Sequence, residues 1–187
     1  KGCCMIKLEI PYKHGDTDLL GYIAAPDNLT AKTPAVMVVQ EWWGHNAYIR
    51  KRAEDIAGLG YIGFAIDMYG KGVMADNPTE ASALSKPFFD DRLLMRARAH
   101  AALETLKQQT NVDANRLGAM GYCFGGTVCL EMARAGEDLK GVVSFHGGLA
   151  TTLPAKKGAV KAYVLALNGE VDPFVPEAEK ESFMPWK

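Results

Sequence analysis

Residues 121–126 read Gly-Tyr-Cys-Phe-Gly-Gly, directly after the apolar run at 116–122 and directly before a helical pattern, "FGGTVCLEMARAG". Gly-x-Cys-x-Gly at a strand-to-helix junction matches the nucleophile-elbow pattern, with cysteine in the place of serine. The turn is too sharp for an ordinary backbone, and Gly121 and Gly125 remove side-chain collisions around it. Cys123 is then placed at the N-terminus of a helix beginning near Phe124. There the helix dipole and free N–H groups are expected to favour thiolate over thiol. The backbone N–H of Phe124 would face a developing oxyanion. The plain alternative is a buried cysteine beside helix-packing glycines; the strand–turn–helix setting favours the nucleophile.

Outward from this elbow, apolar runs alternate with helical patterns. Residues 5–12 and 17–25 read as a hairpin turning at His14-Gly15-Asp16. "PAVMVVQ" (34–40) and "YIGFAIDM" (61–68) read as buried strands, separated by a helical pattern over about 48–59 that Gly60 closes. "PTEASALSK" reads as a short helix with Pro78 in its first turn, and 90–109 as a longer one. "KGVVSFHG" and "KAYVLALNG" read as two more buried strands. Strand–helix–strand repetition with continuous apolar strands predicts an α/β fold: a mostly parallel sheet with helices on both faces. In such sheets chemistry collects at the carboxyl ends of strands. That directs attention to Glu41, Asp67, Cys123, His146 and Asp172.

The bulk numbers narrow the function classes. The 187 residues allow one sizeable domain, 1–187. A net charge of −1 gives no electrostatic reason for a nucleic-acid or anionic-membrane partner. No apolar run approaches the length of a membrane span. The four cysteines (Cys3, Cys4, Cys123, Cys129) form no disulfide framework, and a reducing cytoplasm fits them best. They lack zinc-type spacing, so no metal site is read, and no cofactor is called for. Cys129 reads as plain core, and Cys3 and Cys4 are given no role.

Asp172, in "LALNGEVDPFVP", follows a late strand. An acid there suits a residue that orients a catalytic histidine; the plain alternative is an Asp-Pro turn. Glu41 follows another strand directly and is flanked by tryptophan. A partly desolvated carboxylate at that point is a proton acceptor near neutral pH, the alternative being a structural partner for an arginine. Trp42 and Trp43 either line an apolar substrate pocket or simply pack.

Taken together, "VVQEWWGHN", "AIDMYGKG", "MGYCFGG" and "NGEVDPFVP" resemble the dienelactone hydrolase family over nearly the whole chain. The resemblance implies an α/β-hydrolase fold. It also implies a Cys-His-Asp triad that opens small-molecule esters or lactones through an acyl-thiol intermediate. Carried over, Cys123 is the nucleophile and Asp172 the triad acid. Glu41 is the glutamate that meets the resting thiol and helps to form thiolate. The backbone N–H of Trp42 is the second oxyanion donor, beside that of Phe124. Lys71 falls where the family's type enzyme has an arginine that grips a substrate carboxylate. Lysine supplies the charge without the bidentate fork, so carboxylate-bearing dienelactones are not the expected substrate.

One part of the pattern is missing: no histidine follows Asp172. His146 sits at a strand's carboxyl end but is not expected to substitute. His45 reads as loop, His14 as turn and His100 as helix surface. The ending after "EAEKESF" predicts a C-terminally truncated domain, short of a last helix and strand of roughly fifty residues. The competing reading is a catalytically silent binding protein with a hydrolase fold; a redox-sensing cysteine is a weaker third.

Overall fold

A computed structural model describes residues 5–29 and 31–183; Cys3 and Cys4 lie outside them. Met5–His14 (β1) and Thr17–Pro26 (β2) form an antiparallel hairpin, with Gly15 at φ 58° in the turn between them. Five more strands follow: Thr33–Val39 (β3), Ile62–Ala65 (β4), Val112–Tyr122 (β5), Gly141–Phe145 (β6) and Tyr163–Leu167 (β7). They build one seven-stranded sheet in the order β1-β2-β4-β3-β5-β6-β7. The β4-β3-β5-β6-β7 pairings are parallel, and β2 joins β4 antiparallel. The mostly parallel α/β sheet read from the sequence is therefore present.

Side-chain alternation assigns each face its helix. Ala47–Gly58 (α1) sets Ile49, Ala53 and Ala57 against Tyr22, Ala24, Val38 and Ala65. It approaches so closely that a Cβ on Gly63 would stand 2.2 Å from the Ala53 carbonyl oxygen. Arg92–Lys107 (α3) and Phe124–Arg134 (α4) cover the opposite face. Met95, Ala99, Leu103, Val128 and Met132 meet Met37, Val39, Phe64, Leu117 and Ala119 there. Cys129 is fully buried in this core, as expected.

Three elements differ from the sequence reading. The helix at Pro78–Asp90 (α2) runs past the expected 78–86, carrying Pro87 inside it. Its start is fixed by Asn77, whose Oδ1 accepts the N–H of Glu80 at 3.0 Å, while Glu80 takes the N–H of Asp76 at 2.9 Å. β4 ends at Ala65 rather than Met68, because Asp67 turns the chain: its carboxylate accepts the N–H groups of Leu20, Tyr69 and Gly70. β7 is not a buried strand. It lies at the sheet edge, with Tyr163 89% and Leu165 51% exposed. The last described helix, Glu177–Phe183 (α5), follows the Asp172 loop.

Candidate active site

The parallel strands deliver three segments to one end of the sheet. The loop after β3 carries Gln40 to Asn46, the junction of β5 with α4 carries Cys123, and the loop after β7 carries Asp172. Cys123 adopts φ 55°, ψ −119°, a left-handed backbone that a side-chain-bearing residue rarely takes. Its N–H bonds the Phe145 carbonyl at 2.9 Å. The glycines of the motif are needed for close approach. A Cβ on Gly121 would lie 2.2 Å from the Gly125 oxygen, and one on Gly125 would lie 2.4 Å from the Val39 oxygen. Gly126 packs against Ser144, where an added Cβ would meet Oγ at 2.6 Å.

The elbow thus holds Cys123 at the start of α4, half-buried, with its sulfur within reach of two backbone donors. These are the N–H groups of Phe124 and Trp42. Glu41 and Asp172 both act on the sulfur electrostatically, so the residues singled out from separate strands share one site. The expected acidified thiol is not what they produce. Burial pushes the Cys123 thiol above its ordinary value, and the negative charges of Glu41 and Asp172 push the same way. The two N–H groups pull it down by less. The resting group is accordingly a neutral thiol at pH 7.

Asp172 also makes a turn of its own, accepting the Phe174 N–H on Oδ1 at 2.9 Å. The turn expected as the plain alternative for this residue is therefore present. Glu41 is half-buried, and among the described residues it has no arginine or lysine partner. Trp42 and Trp43 pack edge to face, with ring centroids 5.4 Å apart. Lys71 is exposed on the loop after β4, held by its backbone N–H to the Asp18 carbonyl at 2.9 Å. That loop is tied to the Trp43 segment by Ala75 N–H to the Trp43 carbonyl at 2.9 Å.

The histidines are engaged elsewhere or stand at the rim. His14 Nδ1 accepts from Arg98 Nε at 3.0 Å, and His100 meets Glu137 at 2.9 Å. His45 Nδ1 lies 2.6 Å from the Leu20 carbonyl, which can only accept, so that nitrogen carries the proton. Burial lowers the pKa of His45 and keeps it neutral. His146 is exposed after β6, with φ 44°. Among the described residues no group of three or more His, Cys, Asp or Glu side chains converges as a metal site. Likewise, none of their helices is long and apolar enough to cross a membrane.

The sequence reading passed over Tyr69 and Gln40. Tyr69 stands two residues before Lys71 in "DMYGKG", yet its hydroxyl donates to the Trp42 carbonyl at 3.1 Å. Gln40, directly before Glu41, is fully buried and takes the Met68 N–H at 3.3 Å. The available signal was a polar residue closing the apolar run at 34–39. An aromatic wall of Tyr69, Phe88, Phe89 and Phe124 stands beside the elbow, with ring centroids 5.6–5.8 Å apart.

The chain is similar to known proteins in sequence and fold. The model of the dienelactone hydrolase family matches residues 19–184. A solved protein named m3DLH is 40% identical, with a TM-score of 0.92, over 96% of this chain and 75% of that one. A dienelactone hydrolase-like promiscuous phosphotriesterase from metagenomic libraries is 34% identical, with a TM-score of 0.88 over the same shares. A protein of Aquifex aeolicus (strain VF5), provisionally named carboxymethylenebutenolidase, is 28% identical over 174 residues. That alignment spans 91% of this chain and 74% of the relative.

Proposed function

The chain belongs to the dienelactone hydrolase family, and from that premise we propose that it hydrolyses carboxylic esters or lactones through an acyl-thiol intermediate on Cys123. The observation that carries this reading is the convergence of the Phe124 and Trp42 N–H groups on a half-buried sulfur at a strained elbow. Two backbone donors from separate segments that both act on one sulfur suit an oxygen that gains negative charge beside it.

The chemistry follows from the neighbours. Glu41 takes the thiol proton as a substrate enters, and the thiolate attacks the acyl carbon. A carbon–sulfur bond forms, and the carbonyl π electrons move onto the oxygen held by the two N–H groups. Collapse expels the alkoxide, which takes the proton held on Glu41, and water then attacks the thioester to release the acid and the thiol. Asp172 serves to orient a histidine that would carry protons in the family's triad. No histidine follows Asp172 among the 187 residues. Acylation needs only Cys123, Glu41 and the two donors; efficient deacylation needs the histidine. Oriented proton transfer of that kind contributes about 10²–10⁴-fold.

The aromatic wall and the two tryptophans suit a small substrate with an apolar acyl or ring portion. The raised thiol pKa favours one second reading, a binding protein that holds such ligands without cleaving them. p-Nitrophenyl acetate separates the two. The proposal expects p-nitrophenol release that Cys123→Ala abolishes. Equal release by the native and Cys123→Ala proteins would remove Cys123 from the reaction. Saturable binding without any release would support the silent reading.

A further inference from the structure

An oxyanion site made of two backbone N–H groups has a mechanical problem. The donors belong to different segments, here the loop after β3 and the first turn of α4, and no covalent link sets their separation. Their alignment matters to a fraction of an ångström. Some side chain must fix one segment against the other.

Tyr69 touches both. Its backbone is held by the Asp67 carboxylate, which accepts the Tyr69 N–H at 2.9 Å and the Gly70 N–H at 3.0 Å. Its ring packs against the ring of Phe124, with centroids 5.6 Å apart, and against Phe88 at 5.8 Å. Its hydroxyl donates to the carbonyl of Trp42 at 3.1 Å. Ser85 on α2, whose Oγ donates to the Ala81 carbonyl at 2.9 Å, and Gln40 neighbour the same hydroxyl, and the Cys123 sulfur is within electrostatic range. Burial pushes the phenol well above its ordinary pKa, so it remains a donor at every working pH. Gln40 is anchored in turn by the Met68 N–H at 3.3 Å.

We propose that Tyr69 is a positioning residue for the oxyanion site: its ring fixes Phe124, its hydroxyl fixes Trp42, and the two backbone N–H groups therefore converge. This rests on the reading of Cys123 as the acyl acceptor. Tyr69 touches no reacting atom. Its hydroxyl acts through the Trp42 peptide, and its ring through Phe124.

The test compares two reactions of one sulfur. Acylation of Cys123 by p-nitrophenyl acetate builds negative charge on a carbonyl oxygen. Alkylation by iodoacetamide displaces iodide at a saturated carbon and never forms an oxyanion. Tyr69→Phe keeps the ring and removes the hydroxyl. Deleting an oxyanion donor outright costs about 10²–10³-fold in rate; loosening one should cost less. The acylation rate of Tyr69→Phe is expected to fall at least about tenfold relative to its alkylation rate, both measured at one pH so that the thiolate fraction cancels from the ratio. An equal fall in both rates, or no change in either, would overturn the proposal. Should Tyr69→Phe fail to fold, Ser85→Ala and Gln40→Met, which alter the side chains around the same hydroxyl, must change the same ratio. Persistence of p-nitrophenol release in Cys123→Ala would instead indict the acyl-acceptor reading, so the two failures are distinguishable.

Discussion

Cys123 is held at φ 55°, a backbone state that costs about 1–3 kcal/mol for a residue with a side chain. Its surroundings set the thiol's acidity in a way the motif alone does not disclose. The Gly-Tyr-Cys-Phe-Gly-Gly stretch announces the helix N-terminus and the amide donors. Desolvation and two carboxylates delivered from distant loops outweigh them. A direct prediction follows from the sign. The negative charge of Glu41 raises the thiol pKa, so Glu41→Gln should shift the pH midpoint of iodoacetamide alkylation downward and speed alkylation at pH 7. The same substitution removes the proposed proton acceptor, so acylation by p-nitrophenyl acetate at pH 7 should slow. Faster alkylation with slower acylation is the expected crossing; both rates moving together would contradict the role given to Glu41. Tyr69 was illegible for a different reason. Its partner is a backbone carbonyl on another loop, and no residue type or spacing marks such a bond.

At the scale of elements, the elbow exists because two glycines let the start of α4 lie against β3. An added methyl at Gly125 would meet the Val39 and Gln40 carbonyl oxygens at 2.4 and 2.5 Å, and backbone atoms cannot rotate aside. Gly125→Ala should therefore destabilise the protein by about 1–3 kcal/mol or more in urea unfolding. It should also displace the Gln40–Trp42 segment and depress acylation. A variant of native stability would show that the elbow is looser than described. Helix and strand positions were mostly legible because apolar runs and capping residues are local: Asn77 and Pro78 start α2, and Gly60, at φ 92°, follows α1. The extension of α2 through Pro87 was not, since proline reads as a stop. β7 was misread as buried because "YVLAL" has the same apolar content at an edge as at the centre; only its neighbours decide.

Across the whole molecule, the parallel order β4-β3-β5-β6-β7 gathers the strand ends bearing Glu41, Cys123 and Asp172 at one rim. The sequence makes that gathering predictable, since parallel strands share a carboxyl end. The sequence does not reveal the charge cluster that braces the rim from beneath. Glu131, fully buried on α4, pairs with Arg134 at 2.8 Å and with Arg96 of α3 at 2.7 Å. Arg134 in addition bonds the Leu149 carbonyl, and Arg96 the Leu153 carbonyl, so the loop after β6 is strapped to both helices. Removing one member of a buried ionic cluster leaves the others uncompensated. Glu131→Ala should cost about 3–5 kcal/mol, read as a lower urea midpoint. A loss near zero would mean that this cluster is not what holds the loop.

The account stands on the covalent chemistry of one sulfur, and the most direct measurement is the mass of the protein after brief exposure to p-nitrophenyl acetate. The account predicts a single added acetyl group, located by peptide mapping on the peptide that contains Cys123, and absent from Cys123→Ala. An unmodified Cys123 peptide while p-nitrophenol is being released, or an acetyl group that persists in Cys123→Ala, would contradict it.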